Sequence, residues 1–289
     1  MIISASRRTD IPALYGEWFM NRLQAGSVLV PNPRFTHRLS KVSLSTDEVD
    51  CIVFWTKNPI PFLGYIEQLK AAGYCFYFEY TLNPYNRSVE PNLPDKQPLI
   101  QAFQELSGRI GKSGVDWRYD PILLTEDYTI ADHLLAFADL CRELAPFTER
   151  CVLSFVDSYS HLDQSVRQLT PAEIDCIAKQ FAKIAELHHL PLYSCAETID
   201  LDGYGIRHGA CIDAAKIEQI TGHAIKARKD RGQRTACRCV QSTDIGIYDT
   251  CIHGCIYCYA TRRKQIAMEH YRHHDVNAPM LTGYPNEET

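Results

Sequence analysis

A chain of 289 residues can bury roughly three quarters of its unfolded surface, which suits one large α/β unit or two smaller domains. Hydrophobic residues make up 45% and charged residues 22%, an ordinary globular balance, and no apolar stretch is long enough to span a bilayer, so a membrane partner is excluded. The net charge of -5 argues against a globally basic nucleic-acid binder and leaves a local basic groove open.

Short apolar runs alternate with amphipathic stretches along the chain. The first run, Ile2–Ser6, leads into Arg7, Arg8, Thr9 and Asp10. It lacks the basic start and apolar core of a secretory signal, and the paired arginines lack the apolar run of a twin-arginine signal. Twelve cysteines without an export signal point to a reducing cytoplasm, with thiols or metal ligands rather than disulfides. Asp10 is placed to cap a helix with Pro12 in its first turn and Gly26 past its end. Strands follow at Cys51–Thr56, Cys75–Thr81, Val115–Tyr119, Cys151–Val156, Leu192–Cys195 and Asp244–Tyr248. Continuous apolar runs such as Cys-Ile-Val-Phe-Trp suit strands buried on both faces of a parallel sheet. Thr170-Pro171-Ala-Glu173 is a capping-box start for a helix. The alternation predicts βα units in one (β/α) TIM-like barrel over 1–289. Residues 201–242, rich in Gly, Lys and Arg toward their end, read as a cap or insertion, and 243–260 as a strand and loop of their own.

The predicted strands end in polar residues. Ser4, Ser6 and Arg7 close the first; Thr56, Lys57 and Asn58 the second; Glu79, Thr81 and Asn83 the third. Arg118 and Asp120, then Ser154 and Asp157, then Cys195, Glu197 and Thr198 close the next three. In (β/α) barrels the site is built at these carboxyl ends, so a shared polar pocket is expected, with Arg7, Glu79, Arg118 and Asp120 as candidate substrate or cofactor contacts.

Cysteines carry the sharpest signal. Cys251-Ile-His-Gly-Cys255-Ile-Tyr257-Cys258 places three thiols in one tight loop. Three thiolates on a four-iron cube leave one iron open, and an open iron can bind S-adenosylmethionine (SAM). The alternative is structural zinc, which needs a fourth ligand and favours Cys-x-x-Cys pairs. Cys195, Cys211, Cys237 and Cys239 are a second candidate set, enough for a second, fully ligated 4Fe-4S cluster. The alternative for them is buried small side chains, or a hydrogen-atom donor at Cys195. Cys51, Cys75, Cys141, Cys151 and Cys176 read as core residues. Gly111-Lys-Ser-Gly114 lacks the first glycine of a phosphate loop, and His270 and His274 read as a solvated helical face. Lys226, Arg228, Lys229, Arg231 and Arg234 form a basic run that could grip the phosphates of a nucleotide or nucleic acid.

The 251–260 loop, with Tyr257 before its third cysteine, resembles the cluster loop of radical SAM enzymes, especially the branch that includes spore photoproduct lyase. Phe54-Trp-Thr-Lys57-Asn-Pro59 and Trp117-Arg118-Tyr-Asp120-Pro121-Ile look like the same branch. Over residues 1–260 the chain resembles an uncharacterised bacterial family, domain of unknown function 1848, that opens on Ser-x-Ser-Arg-Arg-Thr-Asp-Ile-Pro. The resemblance implies a 4Fe-4S cluster on Cys251, Cys255 and Cys258, with Tyr257 near the SAM adenine. It also implies a 5′-deoxyadenosyl radical that abstracts hydrogen, and an electron donor of flavodoxin or ferredoxin type. Two departures stand out. The loop follows the last strand rather than the first, which predicts circular permutation with Asp244–Tyr248 beside Ile2–Ser6. A Gly-Gly-Glu for the SAM amino group is absent, so Ser4, Ser6 or Arg7 would have to replace it. The substrate stays open as a small molecule or nucleotide. The alternatives are a DNA-lesion or nucleotide repair lyase, or a zinc- or cluster-stabilised nucleic-acid-binding module without catalysis.

Overall fold

A computed structural model describes residues 1–285 apart from Ser158, Ser160, His161 and Gln164. In chain order the elements are β1 (Ile2–Ala5), α1 (Ile11–Leu14), α2 (Gly16–Gln24), β2 (Ser27–Pro31), β3 (Leu39–Ser43) and β4 (Cys51–Thr56). Then come α3 (Ile66–Ala71), β5 (Phe76–Thr81), α4 (Lys96–Ile110), β6 (Val115–Ile122), α5 (Ile130–Leu144), β7 (Cys151–Phe155) and α6 (Pro171–Leu187). The last are β8 (Leu192–Ser194), β9 (Arg207–His208), α7 (Ala214–Thr221), β10 (Thr243–Asp244) and α8 (Lys264–Arg272).

Eight strands form one sheet in the order β10-β1-β4-β5-β6-β7-β8-β9, each pair parallel. Helices flank it, as the strand–helix alternation predicts. Among the described residues no ladder joins β9 to β10, so the sheet does not close by strand pairing. The chain beyond β9 meets the chain before β10 instead, where the Val240 N–H donates to the Ile212 carbonyl at 3.0 Å. The hairpin β2–β3, which the sequence reading leaves without strands, stands outside the main sheet.

β10 does lie beside β1, with Ile3 opposite Thr243 and Ser4 opposite Asp244. The expected five-residue strand shrinks to two residues. Backbone passes so close to Ser6 at Gly246 that an added Cβ would stand 2.1 Å from the Ser6 hydroxyl. There the Asp244 carboxylate takes over from the ladder. It accepts from the Ser4 and Ser6 hydroxyls at 2.7 and 2.6 Å and from the N–H groups of Arg7 and Gly246 at 2.9 and 3.0 Å.

The period-two alternation of strand side chains divides the core in two. One face gives Ile3, Phe54, Phe78, Trp117, Tyr119 and Leu153 to a large cluster shared with the helices. The other gives Ile2, Cys51, Val53, Tyr77 and Val152 to a smaller cluster closed by Cys211, Ile212, Ile217, Cys237 and Cys239. The expected cap over 201–242 thus sends part of its length into the sheet's inner face. Helix starts follow the sequence: Asp10 caps α1 through the Ala13 N–H at 3.0 Å, and Thr170 and Glu173 form the capping box of α6. Of the five expected core cysteines, Cys51, Cys141 and Cys151 are buried, Cys75 is half-buried and Cys176 is exposed on α6. His270 and His274 do not form a solvated face. His270 bonds the Asp249 carbonyl at 2.8 Å, and His274 bonds that of Leu281 at 2.9 Å and packs edge-on against Tyr15.

Candidate functional site

The carboxyl ends of the strands and the 251–260 loop open onto one cavity of about 400 Å³, a size usual for small-molecule sites. Arg7, Thr56, Asp120, Ser154 and Cys195 reach it from the strand ends, and Cys251, Cys255 and Cys258 from the loop. Sequence therefore placed the pocket at the correct edge of the sheet.

The loop is held from several sides. Asp10 caps α1 with Oδ1, while its Oδ2 accepts from the Lys57 N–H at 2.7 Å and pairs with His253 Nε2 at 2.8 Å. Asn92 ties the loop through its side chain to the Ile252 carbonyl at 2.7 Å and through its N–H to that of His253 at 3.2 Å. The Ile256 N–H donates to the Val89 carbonyl at 3.0 Å, and the Tyr15 hydroxyl to that of Thr250 at 2.6 Å. Gly254 takes φ +74°, a left-handed turn that keeps the loop tight. Tyr257 donates its hydroxyl to Glu90, and Lys57 lies 5.2 Å over its ring. Glu90 is ion-paired with Lys57 at 3.0 Å and Lys96 at 2.7 Å. Burial pushes this carboxyl up, yet Lys57 and Lys96 overcome burial and hold it at about 2. Burial also raises the Cys255 thiol to about 12 despite Lys57 nearby, and it raises the Cys251 thiol too, with Cys258, Asp10 and Cys255 adding to it.

Under the cavity lies a charged layer. Arg118 donates through Nη1 to Glu79 at 3.0 Å and to the Cys211 sulfur, and through Nη2 to Asp120. Asp120 also accepts from the Ser154 hydroxyl, and Asn83 clamps its backbone on both sides at 2.8 Å. Deeper still, Asp116 takes Arg150 and Lys216, both at 2.6 Å. Burial, with the Asp116 charge beside it, raises Glu79 to about 8. Arg118 and Asp120 both line the cavity at the strand ends. Glu79, expected there too, is fully buried beneath Arg118 and does not line the cavity. Ser4 is a second correction, since its hydroxyl is spent on Asp244 below the cavity lining. Ser6 and Arg7 do line it. Arg7 lies 5.0 Å over the Trp55 ring, and its buried Nη2 has no hydrogen-bond partner.

The second cysteine set faces the same cavity. The Cys195 and Cys211 sulfurs stand 2.9 Å apart, and Cys239 is hydrogen-bonded to both Cys211 and Cys237. Those two bonds and the nearby Arg7 guanidinium push Cys239 toward thiolate. Among the described residues no group of three or more His, Cys, Asp or Glu side chains stands ready to hold a single metal ion. Of the basic run, Lys226, Arg228, Lys229 and Arg231 are exposed, while Arg234 lines the cavity and pairs with Asp157.

Asp244, Glu90 and the Asp10–His253 pair were missed as site residues. Asp10 carried a signal, as a helix cap, that hid its second use. Glu197 appeared only as a strand-end polar residue. It lines the cavity, where burial raises it to about 7. No helix among the described residues is long and apolar enough to cross a membrane.

None of the curated proteins matches the chain. Among solved structures, it is similar to a putative alpha-L-fucosidase from Bacteroides thetaiotaomicron VPI-5482. That match has 11% identity and a TM-score of 0.29, covering 78% of this chain and 81% of that one. Residues 2–260 match a family described as a domain of unknown function (DUF1848), and the chain belongs to that family.

Proposed function

We propose that this protein is a SAM-dependent iron–sulfur radical enzyme on a circularly permuted (β/α) barrel whose last gap is bridged by loops rather than by a ladder. The observation that carries the reading is the placement of Cys251, Cys255 and Cys258 in a pinned loop that opens, beside β1, on the cavity at the strands' carboxyl ends. The donor set fits an iron–sulfur cluster. Three thiols face one cavity, and Lys57 offers positive charge beside Cys255. A four-iron cube presents a separate iron to each thiolate, so the loop need not gather its sulfurs round one point. When bound, the cluster and SAM would supply a hydrogen-abstracting organic radical after one-electron reduction by a flavodoxin- or ferredoxin-type donor.

The chain's own residues have definable tasks in this reading. Arg7, with its unpartnered Nη2, is the cation best placed for a cofactor carboxylate. Trp55, Phe155 and Tyr257 give the cavity apolar walls that keep water out. Arg118 holds Asp120 ionised at the floor, where it can orient a substrate hydroxyl or amine. Of the basic run, Arg234 reaches the cavity and could meet a phosphate on a nucleotide substrate, and a lesion-repair role would draw on the exposed cations at 226–231.

Anaerobic reconstitution with iron and sulfide tests the reading. A brown protein that forms 5′-deoxyadenosine from SAM under dithionite is expected, and Cys255→Ala should abolish that product. Stoichiometric zinc uptake with no nucleoside released would replace the enzyme by a zinc-stabilised binding module.

A further inference from the structure

Four cysteines outside the 251–258 loop come together from three separate segments. Cys195 follows β8, Cys211 follows β9, and Cys237 and Cys239 sit in the irregular segment before β10. Their sulfurs form a continuous chain of contacts from Cys195 to Cys211, Cys239 and Cys237, and all four line the cavity. Backbone N–H groups also point at them, from Ile212 to the Cys239 sulfur at 3.4 Å and from Cys239 to the Cys237 sulfur at 3.5 Å.

Cys211, Cys237 and Cys239 share the smaller apolar cluster with Cys51, so burial alone does not set them apart. Two guanidinium groups at the cavity do. Arg118 donates directly to the Cys211 sulfur, and Arg7, with one Nη unpartnered, lies within the field of Cys239 and Cys211. Cations and N–H donors aimed at sulfur are the usual surroundings of a thiolate-bound metal centre.

We propose that Cys195, Cys211, Cys237 and Cys239 bind a second metal centre of iron–sulfur class, ligated wholly by the chain and sharing the cavity with Cys251, Cys255 and Cys258. Two thiolates on one tetrahedral zinc, with bonds of about 2.3 Å, stand about 3.8 Å apart. The 2.9 Å between Cys195 and Cys211 is too short for that, and falls further short of the spacing of thiolates on separate irons of a cube, so one of the two sulfurs must move to bind either. Cys195 is only half-buried and borders the cavity, so it has room to turn its sulfur outward. The inference is independent of what the 251–258 loop does. It puts one cluster at each side of a single substrate space.

Two variants of the full chain, each reconstituted anaerobically with iron and sulfide, test it. With Cys251, Cys255 and Cys258 all changed to Ala, about half of the wild-type iron and acid-labile sulfide should remain, as two equal cubes require. With Cys237→Ala and Cys239→Ala, about half should be lost while 5′-deoxyadenosine formation persists at a reduced level. Full wild-type iron in the Cys237/Cys239 variant overturns the inference whether or not the triple variant folds. Zinc in place of iron and sulfide in the triple variant overturns it as well. Half the iron in the triple variant, from a wild type that never cleaves SAM, would uphold the second centre and remove the radical reading. A wild type that cleaves SAM, with a Cys237/Cys239 variant that keeps all of its iron, would do the reverse.

Discussion

The two faces of the sheet are built from the same strands and answer to different physics. On β6, Val115, Trp117 and Tyr119 point to the helices, while Asp116, Arg118 and Asp120 point inward. The outer side is a chain of rings: Phe54 stacks on Phe78 at 4.8 Å and Phe137 on Phe181 at 3.9 Å. Inside, charges are balanced one against another, with Arg118 between Glu79 and Asp120, and Asp116 between Arg150 and Lys216. Volume governs the first face and charge balance the second, so stability and chemistry are laid on opposite sides of one backbone.

Arg118→Met is the sharpest way to break that division. It keeps bulk and removes the cation, leaving Glu79 and Asp120 buried without their partner. A loss of about 3–5 kcal/mol is expected in urea melts, as for other broken buried pairs. Adding Glu79→Gln should restore little of it, because Glu79, raised to about 8, is already largely protonated at neutral pH and Asp120 is the stranded charge. A cost below about 1 kcal/mol for Arg118→Met would mean that the inner charges are not balanced as described.

On the outer face Phe137→Ala should cost a similar amount, about 3–5 kcal/mol, through the cavity left between Trp117 and Phe181. Phe137→Leu should cost less, because more of the volume is kept. Neither should change iron content or SAM cleavage per folded molecule. A change in either would show that the two faces are coupled.

Glu90 extends the charge logic to the cysteine loop. Its folded value of about 2 lies below the ordinary 4.5 for a glutamate. Its contribution is therefore fully present above about pH 4.5 and is lost as pH falls through 2. Over that window it amounts to about 3 kcal/mol at 1.36 kcal/mol per unit. Stability measured from pH 5 to pH 2 should fall less steeply in Glu90→Gln than in the wild type. Equal slopes would separate Glu90 from the acid response.

Much of the outer face was legible in the sequence, because apolar runs such as Cys51–Thr56 and caps such as Asp10 are local signals. The loop cysteines were legible for the same reason, since their spacing alone places them together. Asp244 was not. Its role depends on Ser4, Ser6 and Gly246 meeting across β10 and β1, a contact more than 200 residues long in sequence for the serines. Glu79 misled for a related reason: a strand residue can face inward and still lie one layer beneath the pocket, and alternation gives the face but not the depth. The hairpin β2–β3 escaped because its second strand, Leu39–Ser43, is largely exposed and lacks an apolar run. The bond that links the chain beyond β9 to the chain before β10, Val240 to Ile212, is marked by no periodicity.

The smallest predicted effect tests whether the helix layer stands apart from the site. At the start of α6 the Glu173 N–H donates to the Thr170 hydroxyl at 3.3 Å, and the Thr170 N–H donates to the Glu173 carboxylate at 2.8 Å. Arg167 adds a two-pronged ion pair to the same carboxylate at 2.7 and 2.9 Å. The first bond from Arg167, with the Thr170 N–H next, holds Glu173 at about 2. Because this carboxylate is exposed, the ion pair adds little to stability, and the cap carries most of the local effect. Thr170→Ala removes an N-cap acceptor and should cost about 1 kcal/mol. In a chain of this size that lowers the melting midpoint by about 2 °C, if unfolding is cooperative. Thr170→Ser keeps the acceptor and should recover most of the loss. Iron content and 5′-deoxyadenosine formation should not move in either variant, because α6 meets the sheet only on its outer face. A drop in SAM cleavage with Thr170→Ala, unmatched by Thr170→Ser, would mean that the start of α6 reaches the cavity and that the two faces do not divide the work.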